Sequence, residues 1–411
     1  MRIPVLPLVF LFIVSFLLDL YISFDVKKVW RRRGVITYWI ISGLCYALLI
    51  VAISLPRRDT GADLSAIMWL LFTYLSIYIG KIAYFLVSIL GRVLSAVFRT
   101  PAFNMPFRWI GFFLGVAFTA IMWIGTGYTR HHLMVVNQDV YSEKLPESFE
   151  NFKIVQISDL HVGTWGEDTS FLESLVEKAN SQNADIIVFT GDIVNRETGE
   201  IQPFIDVLKG LHAKNGVYSV LGNHDYGDYA DWENAEAREE NNRQLAEHQK
   251  NMGWHLMNNE SLFISNGKDS IMLIGIENWG EPPFPQYGNL EVALPSDYAS
   301  KHHQNDSTFK ILLSHNPEHW NREVSKKTNI DLTLSGHTHA MQAMLKLGDW
   351  KWSPAKYRYE QWGGKFLRKN ENGEATQLYV NIGAGAVGMP ARFMGAYPEI
   401  TVITLKRGEP R

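Results

Sequence analysis

The 411-residue chain has a single cysteine, Cys45, set inside an apolar run. That excludes an intramolecular disulfide and any zinc site built from several thiolates. Net charge is only −3, from 39 basic and 42 acidic residues. No bulk positive field therefore points to nucleic acid as a partner. No internal sequence repeat is evident. No small-x-small cleavage pattern follows the first apolar run, and its only leading charge is Arg2. That run reads as an uncleaved anchor, not a signal peptide.

What is present divides the chain near residue 130. Four apolar runs cover residues 3–24, 35–55, 66–90 and 107–128. Each is close to or above the roughly 20 residues that cross a bilayer as helix. Lys27, Lys28, Arg31, Arg32 and Arg33 lie between the first two, and Arg92, Arg99 and Arg108 between or beside the last two. Between the second and third, Arg57 and Arg58 are balanced by Asp59 and Asp63. The positive-inside rule places the first and third loops in the cytoplasm and everything after the fourth run outside. The expectation is a multi-pass membrane protein with its soluble part on the outer, periplasmic or extracellular, side. Asp19 and Lys81, inside apolar runs, are expected to snorkel to the interface; the alternative is an intramembrane pair. Trp69, Tyr74, Tyr78, Trp109 and Trp123 fit interfacial anchoring or helix packing.

The domain plan is a membrane domain over 1–130 with four transmembrane helices, a linker over 131–150, and a soluble domain over 151–411. In that last part, apolar strand patterns alternate three times with helical ones. Residues 154–158 form a strand that ends in Asp159-Leu160-His161. Residues 185–190 end in Gly191-Asp192, and 217–221 in Gly222-Asn223-His224-Asp225. Helical patterns follow at 169–182, 201–212 and 229–252. Such alternation predicts a largely parallel sheet with polar groups at strand carboxyl ends, where ligands bind in open α/β sheets. A hairpin is expected around Asn266-Gly267. Two more strands end in His315 and in Gly336-His337-Thr338-His339, and strands at 378–382 and 399–405 close the sheet. All these strand-end groups are oxygen or nitrogen ligands, a set that suits Mn, Fe or Zn better than Mg. They are too many for one tetrahedral zinc and about right for two metals sharing a carboxylate.

Asp159-x-His161, Gly191-Asp192, Gly222-Asn223-His224-Asp225, His315 and Gly336-His337-x-His339 resemble the five motif blocks of calcineurin-like metallophosphoesterases. The resemblance covers residues 150–405, and membrane-anchored bacterial members are similar in layout. It implies a four-layer α/β/β/α sandwich. It further implies that Asp159, His161 and His339 bind one divalent metal, that Asn223, His315 and His337 bind the other, and that Asp192 bridges them. His224 would be the general acid, or electrostatic support, at the leaving oxygen. A hydroxide held between the metals would be the nucleophile. Asp225 would either orient His224 or serve only as a turn residue.

The expected function is hydrolysis of a phosphodiester, lipid-linked or of the envelope, by a membrane-anchored enzyme. The alternatives are a phosphomonoesterase and a non-catalytic membrane sensor with a structural metal site. Gly383-Ala-Gly-Ala-Val-Gly388 matches a dinucleotide fingerprint, but Met389-Pro390 follows it and no βαβ unit remains. It is expected to border the metal cleft, with Arg392 beside it as a substrate-binding group. Trp350, Trp352, Tyr357, Tyr359 and Trp362 form an aromatic cluster suited to an apolar substrate portion or the membrane interface. His319, four residues past His315, is a further candidate for the site; the remaining histidines are expected in surface or packing roles.

Overall fold

The computed structural model describes residues 5–55, 59–62, 64–295, 307–348, 350–370 and 373–411. Arg2, Arg57, Arg58, Asp63, His302 and His303 lie outside these. The chain divides into two compact units. One holds residues up to 57 and 63–127, and the other 128–387 and 392–411; residues 58–62 group with the second and 388–391 with the first.

The membrane unit is helical: α1 (Val5–Ser54), α2 (Leu64–Val97) and α3 (Asn104–Gly127). Four stretches, Val9–Trp30, Arg32–Ser54, Leu64–Val97 and Pro101–His131, are long and apolar enough to cross a membrane. The basic stretch expected to be a loop after the first run is helical instead, so α1 runs through two of these stretches. It cannot be straight. Phe12 and Tyr46 are 34 positions apart, about 51 Å along an ideal helix, yet their rings lie 5.0 Å apart. The chain reverses around the basic cluster, and the first two stretches pack side by side.

α2 and α3 approach closely through glycine. A Cβ on Gly115 would lie 2.6 Å from the carbonyl oxygen of Gly80, and one on Gly80 2.7 Å from that of Gly115. Small residues at such crossings let helix backbones meet where lipid supplies no hydrophobic drive.

The expectation for Asp19 is corrected. Its carboxylate is fully buried and accepts from the hydroxyls of Tyr38 and Tyr46 at 2.5 Å, Tyr78 at 2.7 Å and the Lys81 ammonium at 2.7 Å. Lys81 also donates to Ser42 at 3.1 Å. Groups from the second and third apolar stretches satisfy the charge that the first carries, so neither side chain needs to reach for water.

The second unit contains β1 (Met134–Ser142), β2 (Lys153–Ile157), β3 (Ile186–Phe189), β4 (Val217–Ser219), β5 (Trp254–Leu256), β6 (Glu260–Asn266), β7 (Asp269–Gly275) and β8 (Lys310–Leu313). It continues with β9 (Leu332–Ser335), β10 (Ala343–Leu347), β11 (Trp350–Trp352), β12 (Gly364–Lys369), β13 (Ala375–Val380), β14 (Phe393–Met394) and β15 (Glu399–Arg407). Two six-stranded mixed sheets form, in the orders β1-β15-β2-β3-β4-β5 and β12-β13-β9-β8-β7-β6; β10, β11 and β14 make a small third sheet.

Strand alternation explains the layering. Ile154, Ile186 and Val188 of the first sheet meet Ile271, Ile311, Leu313 and Leu332 of the second in one core. The opposite faces, with Val155, Ile157, Ile187 and Phe189, pack under α4 (Ser170–Asn180), α5 (Ile205–Leu208) and the amphipathic α6 (Ala235–Asn251). Met272, Ile274, Leu312 and Leu378 form a third core with Trp320 and Val324 of the helical segment 317–327. The result is the α/β/β/α sandwich.

Part of the expected linker is a strand. β1 pairs in parallel with β15 from Met134 against Glu399 to Ser142 against Arg407, as the edge of the first sheet. Of the expected helix at 201–212, only α5 is α-helical; a 3-10 segment, Thr198–Phe204, precedes it with Pro203 inside, and proline cannot donate to a regular helix.

The two sheets repeat one device. Asp185 just before β3 accepts the Lys153 amide at 2.7 Å, and Asp331 just before β9 accepts the Lys310 amide at 3.0 Å. The two six-stranded sheets thus share an individual contact as well as a strand count. Elsewhere in this unit, Arg196 donates to the carbonyls of Asp59 and Ala62.

Candidate metal centre

Every expected ligand lies just beyond the carboxyl end of β2, β3, β4, β8 or β9. Those strands are neighbours in two stacked sheets, so their ends converge on one place. The turn out of each strand is abrupt. Asp159, His161, Asp192, His337 and His339 all have positive φ, between 44° and 73°. Such conformations cost about 1–3 kcal/mol each for residues with a Cβ. Asp225 helps to hold one of these turns. Its carboxylate accepts the amides of Asp192, Ile193, Val194 and Gly222 at 2.8–3.2 Å. It therefore ties the ends of β3 and β4 together and does not orient His224. Burial, reinforced by the nearby Asp192 charge, pushes its carboxyl up to about 7.

The side chains gather in two overlapping groups. In the first, Nε2 of His339 lies 3.2 Å from Oδ1 of Asp159 and 3.0 Å from Nε2 of His161. In the second, Nε2 of His315 lies 3.1 Å from Oδ2 of Asp192 and 3.2 Å from Nδ1 of His337. The same Oδ2 of Asp192 is 3.6 Å from Nε2 of His161. One carboxylate oxygen thus stands between the groups. Asn223 donates through Nδ2 to the Tyr229 hydroxyl at 2.9 Å, and its Oδ1 is buried without a hydrogen-bond partner.

Cations fit this donor set. His315 donates Nδ1–H to the Thr190 carbonyl at 2.7 Å. In the neutral ring its Nε2 therefore carries a lone pair, and that lone pair faces a carboxylate. A proton or a metal ion must lie between them. Burial works against an imidazolium at His315, but the Asp192 and Asp159 charges hold its pKa up at about 9; the same field would hold a metal. Burial drives His337 down to about 3 and His161 well below its ordinary value. Burial opposes ionisation of Asp159 and Asp192, yet the surrounding histidines keep both carboxyls below the usual range. Neutral imidazoles and ionised carboxylates are the ligating forms.

His224 lies partly exposed beside the cluster. Its Nδ1 donates to the Asn195 carbonyl at 2.6 Å, which leaves Nε2 free, and its ring stacks on Tyr229 at 4.2 Å. It also falls within 4.8 Å of ligand atoms of His161 and Asp192. Its amide donates to Asp192 Oδ1 at 2.8 Å.

Arg392 is corrected. It is fully buried and donates to the carbonyls of Gly385, Ala396 and Ile382. Its fourth contact is Nδ1 of His339, at 3.2 Å. With its donors committed inside the protein, it clamps the glycine-rich loop against the centre and is not available to a substrate. The loop borders the cleft as expected, with Gly385 donating to the Asp159 carbonyl at 2.7 Å. His319 is buried against Ser314 and Trp279, outside the groups just described.

Two tyrosines complete the surroundings. Tyr359 lies 3.0 Å from Nε2 of His337, and Tyr229 accepts from Asn223. Tyr359 belongs to the aromatic cluster singled out in the sequence; Tyr229 carries no motif and is found only through the fold.

Residues 152–341 match the family model for calcineurin-like phosphoesterases. That stretch is a calcineurin-like phosphoesterase domain. Metallophosphoesterase YkuE of Bacillus subtilis is 29% identical over 69% of this chain and 90% of its own length. A zebrafish (Danio rerio) transmembrane protein with metallophosphoesterase domain is 30% identical over 66% of this chain, which spans 57% of that relative. UDP-2,3-diacylglucosamine pyrophosphatase LpxG of Chlamydia trachomatis is 27% identical over 56% of this chain and 76% of its own. With its long apolar helices and such relatives, the chain is a membrane protein carrying a hydrolase domain.

Proposed function

We propose that this protein is a membrane-anchored hydrolase that uses two divalent cations, Mn, Fe or Zn, to cleave a phosphodiester or phosphoanhydride bond in a lipid-linked or envelope substrate. The observation that carries the reading is Asp192 Oδ2, which faces His161 on one side and His315 on the other. Asp159, His161 and His339 would hold one cation, and Asn223, His315 and His337 the other. When bound, the pair would polarise the phosphoryl oxygens and lower the pKa of a shared water. His224, tautomerically fixed by the Asn195 carbonyl, would place Nε2 at the leaving oxygen and supply its proton from the imidazolium form. Tyr229 and Tyr359, when they accept from Asn223 and His337, keep their own O–H groups free to donate to a phosphoryl oxygen.

The lipid-linked substrate is favoured by an exposed apolar surface that begins two residues after His339. Leu347 is 73% exposed, Trp350 54% and Tyr357 77%. Large apolar side chains left open together mark a binding surface. The pyrophosphatase named among the relatives acts on a diacylated sugar nucleotide, which agrees with such a surface. Four crossings and an outer-face catalytic domain are the arrangement that the basic residues beside the apolar stretches favour.

The full chain with Mn²⁺ should hydrolyse a generic phosphodiester faster than the matching monoester and lose activity in chelator. Unchanged turnover by Asp192→Ala would refute the two-cation mechanism. Preference for the monoester would replace the diester reading. For topology, a reporter that works only outside the cytoplasm should be active when fused after Arg411.

A further inference from the structure

The membrane unit contains a cavity of about 620 Å³ among α1, α2 and α3. Its walls are apolar along most of their length and include Ile22, Ile77, Phe112 and Val116. Asp25, Tyr84 and Arg108 also line it. Asp25 is almost wholly buried and pairs with two guanidiniums, those of Arg92 at 2.6 Å and Arg108 at 3.0 Å. Tyr84 adds a hydrogen bond to the same carboxylate at 3.0 Å. One negative charge thus answers two positive ones. Arg108 Nε is buried and has no hydrogen-bond partner. An excess positive charge in this setting calls for an anion.

We propose that this cavity binds one anionic phospholipid, with its phosphate at Arg108 and an acyl chain along the apolar walls. The dimensions suit that occupant. From Arg108 to Ala120, both lining the cavity, α3 rises about 18 Å. One leaflet of hydrocarbon is about 15 Å deep, half of the roughly 30 Å core. A free anion would satisfy the arginines and leave the apolar length unfilled. A neutral lipid would fill the length and leave the charge unanswered. The site is separate from the metal centre's chemistry: about 29 Å of helix lies between Arg108 and Gly127, where α3 ends.

The test uses the full chain in mild detergent, stripped of co-purified lipid and offered dioleoyl phosphatidylglycerol or dioleoyl phosphatidylcholine. Bound lipid is counted by native mass spectrometry. Phosphatidylglycerol should be retained as a single equivalent and about tenfold more tightly than phosphatidylcholine. Arg108→Gln should abolish that preference and Arg108→Lys restore it. Ala120→Phe, which narrows the apolar end, should lower retention of both lipids. Equal retention of the two lipids by the native chain overturns the proposal, as does an Arg108→Gln chain that still prefers phosphatidylglycerol. Should Arg108→Gln fail to fold, the native comparison and Ala120→Phe still decide the question.

Discussion

Asn223 and Tyr229 are joined by a 2.9 Å hydrogen bond from Nδ2 to the phenol oxygen, which leaves Oδ1 of the asparagine buried and unpartnered. The bond fixes which end of the amide is offered to a cation. Tyr229→Phe should weaken the second cation about 10–100-fold, as loss of a group that orients a ligand does. A metal titration followed by calorimetry measures this directly. Affinity for the second cation unchanged from the native chain would show that the tyrosine does not orient the ligand.

Gly222 is the residue before that asparagine. A Cβ there would overlap Oδ1 of Asp192 and lie 2.6 Å from the Asp192 amide. Gly222→Ala is expected to bind at most one equivalent of metal and lose at least about 100-fold in turnover, with its circular dichroism unchanged. Metal content by mass spectrometry is the deciding measurement.

The Asp19–Lys81 pair should behave as a buried ion pair. Asp19→Asn or Lys81→Met alone leaves a charge or polar group without its partner and should cost about 3–5 kcal/mol. The double variant should recover most of that loss. Thermal unfolding of the four proteins in detergent gives the cycle; additive losses would mean that the two groups are not coupled.

Asp331 offers a pH signature away from the metal centre. Burial raises its carboxyl from about 3.8 to about 6, partly countered by Lys144 and the Lys310 amide. A raised carboxyl pKa means that the folded chain binds the proton more tightly. Its contribution is fully present below about pH 4 and is lost as pH rises to about 6. Asp331→Asn should therefore gain stability relative to the native chain across that window, by up to about 3 kcal/mol. Urea midpoints at pH 4 and pH 7 test the sign.

The candidate ligands are legible in the sequence because each stands at the end of a short apolar strand, and strand ends of neighbouring β segments must meet. The role of Arg392 is not legible, for the opposite reason. Its position beside a glycine-rich loop is visible in the sequence, whereas the three carbonyls that consume its donors come from backbone turns no pattern encodes. Asp225 behaves alike: four amides converge on it only after β3 and β4 pair. The reversal in α1 was hidden because a helix can stay hydrogen-bonded while it bends. Residues 131–150 looked like a linker since β1 is an edge strand, half exposed, and its partner β15 lies at the far end of the chain.

The ligand set is divided between the two sheets. Asp159, His161, Asp192 and Asn223 follow strands of the first, and His315, His337 and His339 follow strands of the second. On this assignment one cation would find its full complement only in a segment that reaches His337, and the other only in one that reaches His339. A nascent chain would have to be translated through His337 before either site is complete, and through His339 before both are. Metal loading would then act as a record of completion: a domain cut short before His337 would lack both full ligand sets, however well its first sheet has formed.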